Sequence, residues 1–213
     1  MPTLTAGASI GLAGRAGGTC GCLVRSTKGA GLFALTAGHV VLTPSSAAGS
    51  QVCSPGGLSP GAPVVGSLEC WVDPQSGVAG ANRADAAIAR ISNVEGLSPR
   101  IPGIGIPRGR SDELAIGMPV QLVGASSGYQ TGHIVDLDYD ALVTMDLPQR
   151  PAEQVQLRHL ILCTRCTNGG DSGAAIVNER REIVGVHLGS TGSASYFCRI
   201  GIVCRLLSIE IVT

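Results

Sequence analysis

The sequence predicts an all-β protein: two six-stranded antiparallel β-barrels lying side by side, with a short C-terminal helix. Three observations predict it. Apolar residues make up 44% of the 213 residues, but aromatics only 3% and charged residues 14%, so the core must be built from small aliphatic side chains. Those aliphatics fall in short β-branched runs punctuated by 31 glycines and 12 prolines, the pattern of many short strands. The breaker-rich stretch 92–113 carries little periodicity and joins two halves of similar size, taken as domains 1–100 and 114–213.

In the first half, strands are expected over 8–13, 20–26, 32–36, 50–53, 63–72 and 86–91. Lys28 to Gly31 is a turn, and Ser54 to Pro60 is a Pro/Gly loop. Gln75 to Arg83 reads as a polar loop that delivers Asp85 to the next strand. In the second half, strands are expected over 118–124, 132–137, 141–147, 155–163, 173–178, 183–188 and 195–199. Turns are expected at 126–128, 138–140 and 178–181. Residues 202–208 are the one plausible helix. Gly103-Ile104-Gly105 does not read as a dinucleotide loop, because Pro107 blocks a helix from opening there.

Composition excludes several function classes. Formal net charge is zero and there is no basic run, so neither nucleic acid nor an anionic membrane is an expected partner. No stretch approaches the roughly 18 apolar residues of a membrane span. Met1 to Gly18 lacks a basic start followed by an apolar segment, so a cytoplasmic location, in a bacterium, is the expectation. The eight cysteines are then read as reduced and mostly buried. Cys20/Cys22 and Cys163/Cys166, with His159 just upstream of the second pair, are close enough for zinc but do not form two clean ligand pairs. Neither a metal nor a cofactor is expected.

The chemistry centres on Thr167-Asn168-Gly169-Gly170-Asp171-Ser172-Gly173, followed by the apolar run Ala174 to Val177. This places a hydroxyl on a tight glycine loop before a buried strand, where successive backbone N–H groups can converge on an anion. A serine nucleophile needs a base, and the base needs an orienting acid. Of four histidines, His39 sits at a predicted strand end in Leu35-Thr36-Ala37-Gly38-His39. Asp85 stands at the mouth of another strand in the same half, with Asp73 as the rival acid. The order along the chain is His, Asp, Ser, which fits neither the α/β-hydrolase nor the subtilisin order.

Together, Leu35-Thr36-Ala37-Gly38-His39-Val40, Asp85-Ala86-Ala87-Ile88 and Gly170-Asp171-Ser172-Gly173-Ala174 resemble the trypsin-like serine peptidases of the chymotrypsin fold. The resemblance implies an endopeptidase acting on a polypeptide substrate through an acyl-enzyme. It implies Ser172 as nucleophile, His39 as base, Asp85 as orienting acid, and the N–H groups of Gly170 and Ser172 as oxyanion hole. Arginine- or lysine-specific members carry an aspartate where this chain has Cys166, so that specificity is not expected. Thr167 and His187, with Gly189 on the same strand, instead resemble the pocket of glutamyl endopeptidases and picornaviral main proteases, implying Glu or Gln at P1. In many secreted relatives a new amino terminus pairs with the aspartate before the serine. No such start is evident here, so Asp171 needs another donor, or the loop orders only with an activating protein partner. Two other readings stay open: a catalytically silent binding module, and a structural β-protein stabilised by its cysteines or by metal.

Overall fold

The computed structural model describes residues 4–57 and 61–213, with backbone alone for 78–81; residues 58–60 of the loop ending at Pro60 lie outside it. The first half contains β1 (Ser9–Leu12), β2 (Gly18–Thr19), β3 (Cys22–Ser26), β4 (Leu32–Thr36), α1 (Gly38–Val41), β5 (Gln51–Cys53), β6 (Val64–Trp71), β7 (Gly77–Asn82) and β8 (Ala87–Ile91). The second contains β9 (Pro119–Gly124), β10 (Gly128–Leu147), β11 (Arg150–Thr164), β12 (Ala175–Val177), β13 (Ile183–Ser190), β14 (Ala194–Arg199), α2 (Ile200–Leu207) and β15 (Ile209–Ile211).

The first sheet runs β15-β3-β4-β8-β6-β5-β1-β2, all antiparallel. It curls shut where β2 bends into β3: Cys20 N–H donates to the Ala8 carbonyl at 2.8 Å, and Gly7 N–H to the Cys20 carbonyl at 2.7 Å. The second sheet runs β10-β9-β12-β13-β14-β11, and the β10–β11 pairing closes it as a six-stranded barrel. With few aromatics available, each barrel spends one of the two phenylalanines at its centre. Phe33 lies on β4 and Phe197 on β14, both among the largest fully buried side chains. Around them pack Leu35, Leu68 and Ile10 in the first barrel and Leu122, Ile134 and Ile161 in the second.

Three elements depart from the local sequence signal, each because a distant partner overrides it. The expected polar loop 75–83 contains β7, which pairs in parallel with β11 and so crosses into the second sheet. The expected turn at 138–140 is absorbed into β10, which runs through it with register shifts between Asp136, Tyr139 and Ala141 opposite β11. Those shifts are β-bulges, which bend a strand without ending it. The chain's last strand, β15, returns to the first sheet on the edge of β3. Helix α2 starts two residues earlier than expected. It ends on Ser208 in the left-handed conformation (φ 54), whose N–H caps the Cys204 and Arg205 carbonyls.

The β10–β11 hairpin carries the second barrel across to the first. Near its tip, Asp146 pairs with Arg15, Arg150 donates to Asp73 at 2.8 Å, and Gln149 N–H donates to the Pro44 carbonyl at 2.9 Å. Two ends of neighbouring strands also coincide. Thr36, the last residue of β4, is the register partner of Ala87, the first of β8. The residues just after β4 and those just before β8 therefore meet at one rim of the first barrel.

Candidate active site

His39 comes after β4 as the second residue of α1, and Asp85 precedes β8, so antiparallel pairing brings them together. One Asp85 oxygen accepts the His39 backbone N–H at 3.1 Å, and the other faces His39 Nδ1 within hydrogen-bond distance. The carboxylate is 1% exposed and the imidazole 30%. Burial works against the imidazolium, but the charge and hydrogen bond of Asp85 outweigh it and raise the His39 pKa above the ordinary value. Gly38 is required beside them, since a Cβ there would run into Asp85 Oδ1. The rival acid, Asp73, is 57% exposed and paired with Arg150.

Ser172 sits between β11 and β12 on a loop sewn to both barrels. Thr19 N–H donates to the Ser172 carbonyl at 2.7 Å, and the Thr19 hydroxyl to the Gly170 carbonyl at 2.9 Å. On the other side, Gly173 N–H donates to the His187 carbonyl at 2.8 Å. Gly170 (φ 98) and Gly173 (φ 95) hold backbone conformations that L side chains rarely adopt. The shape leaves two N–H groups over. Among the described residues, neither Gly170 N–H nor Ser172 N–H donates to any protein group.

The seam brings the serine to the His39 side. Gly18 is wedged between Val40, the neighbour of His39, and the Ser172 carbonyl, which a Cβ at Gly18 would approach to 2.6 Å. The Ser172 hydroxyl donates to the Leu188 carbonyl at 3.0 Å rather than to His39. Leu188 in turn lines, with His39, Leu42, Asp85, Met145 and Tyr196, a cleft of ≈ 470 Å³ between the barrels.

Asp171, whose donor the sequence left unassigned, is satisfied inside the chain. It accepts from Ser126 N–H (2.9 Å), Ser127 N–H (3.0 Å), the Ser127 hydroxyl (2.5 Å) and Asn168 N–H (2.8 Å). Burial opposes its ionisation, and these donors outweigh it, holding the carboxyl below its usual range.

His187 and Thr167 are brought together behind the nucleophile loop. Thr167 Oγ1 lies 2.8 Å from His187 Nε2 and 2.6 Å from Ser195 Oγ, and Ser195 Oγ accepts the Cys166 N–H at 3.2 Å. His187 Nδ1 is buried and makes no well-formed hydrogen bond among the described residues, although the Asp171 and Gly189 backbone acts on the ring. Burial lowers the His187 pKa to about 4, so the ring is neutral at pH 7. Gly189 stands opposite Tyr196, whose hydroxyl would lie 2.5 Å from a Cβ. Ser195, His187 and Asp171 form a second serine–histidine–aspartate grouping, but all three are buried and Thr167 stands between the first two. That grouping offers no accessible hydroxyl to a substrate.

Thr19, Ser126, Ser127, Leu188 and Ser195 shape this region without having been expected to. Ser126-Ser127-Gly128 reads only as a turn, and one sequence carries no signal tying it to Asp171. The cysteine and histidine groups considered for zinc do not converge. Cys20 and Cys22 lie in the first core and Cys163 and Cys166 in or against the second, while His159 is exposed and paired with Asp138.

Two antiparallel β-barrels with a serine loop and a histidine–aspartate pair at their seam define a chymotrypsin-fold peptidase. The family model described as Trypsin matches residues 6–207, and the chain belongs to that family. It is a trypsin-like serine endopeptidase, a hydrolase of peptide bonds. Its backbone resembles Thermobifida fusca Protease A (TM-score 0.72, 21% identity, all of both chains) and Nocardiopsis Protease (0.70, 20%, all of both chains). It also resembles a glutamic acid specific serine protease described as using a histidine triad in substrate binding (0.68, 18%, 98% of this chain and all of that one). At such identities these likenesses concern the fold. No curated protein matches the chain.

Proposed function

We propose that His39, Asp85 and Ser172 are the catalytic triad of this endopeptidase, with Gly170 and Ser172 N–H as the oxyanion hole. The observation that carries the reading is the double hold of Asp85 on His39, which fixes the ring with Nδ1 occupied and Nε2 left for the substrate side. On this reading the Ser172 hydroxyl leaves the Leu188 carbonyl and donates to His39 Nε2. The Leu188 carbonyl is then free to accept an N–H from an extended substrate lying along Leu188 to Ser190.

Ser172 Oγ attacks the scissile carbonyl carbon as its proton passes to His39 Nε2, and Asp85 stabilises the imidazolium. The carbonyl oxygen takes the negative charge and meets the two uncommitted N–H groups, each donor worth about 3–4 kcal/mol in the transition state. Collapse breaks the C–N bond, and His39 returns the proton to the leaving amine. Water repeats the sequence on the acyl-Ser172 ester. With Asp171 satisfied by its own chain, this reading calls on no activating partner.

For P1, the same reading assigns Glu or Gln to Thr167 and His187, with Gly189 leaving the pocket wall open. A hydrogen-bond chain can run from Cys166 N–H through the Ser195 and Thr167 hydroxyls to His187 Nε2. That leaves Nδ1–H as the ring's remaining donor, beside the Asp171 and Gly189 backbone but without a hydrogen bond of good geometry among the described residues, and a side-chain carbonyl or carboxylate oxygen competes for it. The glutamic acid specific fold relative supports this choice.

Cleavage of a peptide library, read by mass spectrometry, tests both parts. Wild-type protein is expected to cut after Glu or Gln, and Ser172→Ala to lose activity by on the order of 10⁶-fold. Cleavage retained in Ser172→Ala removes the triad assignment. Cleavage after Arg or Lys removes the pocket assignment alone.

A further inference from the structure

Among the cysteines, Cys163 and Cys166 stand apart. Cys163 is fully buried near the end of β11, while Cys166, just beyond the strand, is half-buried at the root of the nucleophile loop. Both belong to one packed cluster, Cys163 inside the second core and Cys166 against it. Both also grip the same residue of β14: the Cys163 thiol donates to the Ser195 carbonyl at 3.5 Å, and the Cys166 N–H donates to Ser195 Oγ at 3.2 Å. Of the other cysteines, Cys20, Cys22, Cys53, Cys198 and Cys204 are buried, and Cys70 is half-buried at the surface beside Glu69.

We propose that Cys163 and Cys166 are an oxidisable dithiol, a modification site for peroxide or small-molecule disulfides, whose closure displaces the Ser195–Thr167–His187 chain. Cys166 is the attacking thiol, because it is the more accessible of the two. Contact with Cys163 also stabilises its thiolate and lowers its pKa, whereas the partner's is raised. With hydrogen peroxide, Cys166 Sγ takes one oxygen as sulfenic acid and releases water. Cys163 Sγ then attacks that sulfur, expelling a second water and forming the S–S bond. With a disulfide RSSR, Cys166 displaces one RSH and Cys163 the other. In each case the two thiols lose two electrons and two protons to the oxidant.

A disulfide is about 2.05 Å long, far shorter than the separation of two unbonded thiols, so closure must draw Cys166 towards Cys163. Its N–H then moves relative to Ser195 Oγ, and Ser195 positions the Thr167 hydroxyl against His187. The effect falls on substrate grip rather than on His39 and Asp85, which belong to the first barrel. This consequence rests on the pocket reading above; the cross-link itself does not.

The test uses the full chain treated with graded peroxide or oxidised glutathione. For mapping, the Ser172→Ala variant prevents self-digestion. Trypsin cuts after Arg165, between the two cysteines, so the disulfide joins peptide 159–165 to peptide 166–180 and reduction separates them. The joined pair is expected before any modification of Cys70. In active protein, KM for the best library peptide is expected to rise about tenfold, the size of one misplaced pocket contact. Its kcat should hold, dithiothreitol should reverse the change, and Cys166→Ser should abolish it. Modification of Cys70 with no joined peptide overturns the proposal, as does a joined peptide with KM unmoved. Failure of the P1 reading shows separately, as unchanged P1 choice in His187→Ala with the joined peptide still formed.

Discussion

Asp85 holds His39 at two points, the backbone N–H and ring Nδ1, with a carboxylate that is almost fully buried. The pair exists because Thr36 and Ala87 are register partners, which delivers the end of one strand and the start of another to the same rim.

That hold sets a pH profile. In the proposed triad His39 must be neutral to accept the Ser172 proton, and its pKa is raised, so the acidic limb of kcat/KM is expected above the ordinary histidine value near 6.5. Asp85→Asn should move the limb downward and lower kcat by about 10⁴-fold through loss of the correct tautomer. A limb that stays put in Asp85→Asn, with peptide hydrolysis measured across pH, would separate the two residues.

Gly173 is expected to be indispensable. Its positive φ disfavours a side chain by about 1–3 kcal/mol, and a Cβ would collide with the Thr36 hydroxyl and the Thr19 carbonyl. Gly173→Ala should lower the melting temperature and abolish active-site titration together. A variant as stable and as reactive as wild type would contradict the close approach of the loop to the first barrel.

His187 makes the fold sensitive to acid. Its folded pKa of about 4 lies below the unfolded value near 6.5, so its contribution is present above pH 6.5 and is lost as pH falls towards 4. The loss amounts to about 3 kcal/mol over that window. Asp171, also depressed, contributes above the ordinary carboxylate pKa and is lost at lower pH still. Urea titrations of wild type and His187→Gln between pH 7 and 4 should show a shallower decline in the variant.

The pocket should also respond to pH through its substrate. A Glu side chain bound beside neutral His187 favours a proton shared between them, whereas Gln does not. The ratio of kcat/KM for P1 Glu over P1 Gln is therefore expected to rise as pH drops from 8 to 6. Thr167→Val should lower both values by about 10–200-fold, because the buried partners of the hydroxyl lose their bonds. A flat ratio across pH would place the P1 side chain away from His187.

Much of this was legible in the chain itself. Short aliphatic runs between glycines and prolines, halved by 92–113, determine two β-barrels, since residues so poor in aromatics and charge can bury themselves only as many short strands. The order of His39, Asp85 and Ser172, each at a strand end or on a glycine loop, is the sequence signal behind the proposed triad, because those positions leave side chains free to converge. Tertiary structure alone decided the rest. It carried β7 and β15 across to the other barrel, kept β10 running through the expected turn, gave Asp171 its donors at Ser126 and Ser127, and set Ser195 between Cys166 and Thr167. Each depends on a contact between residues far apart in sequence, whose free energy exceeds the local preference at either end, and no local pattern records it.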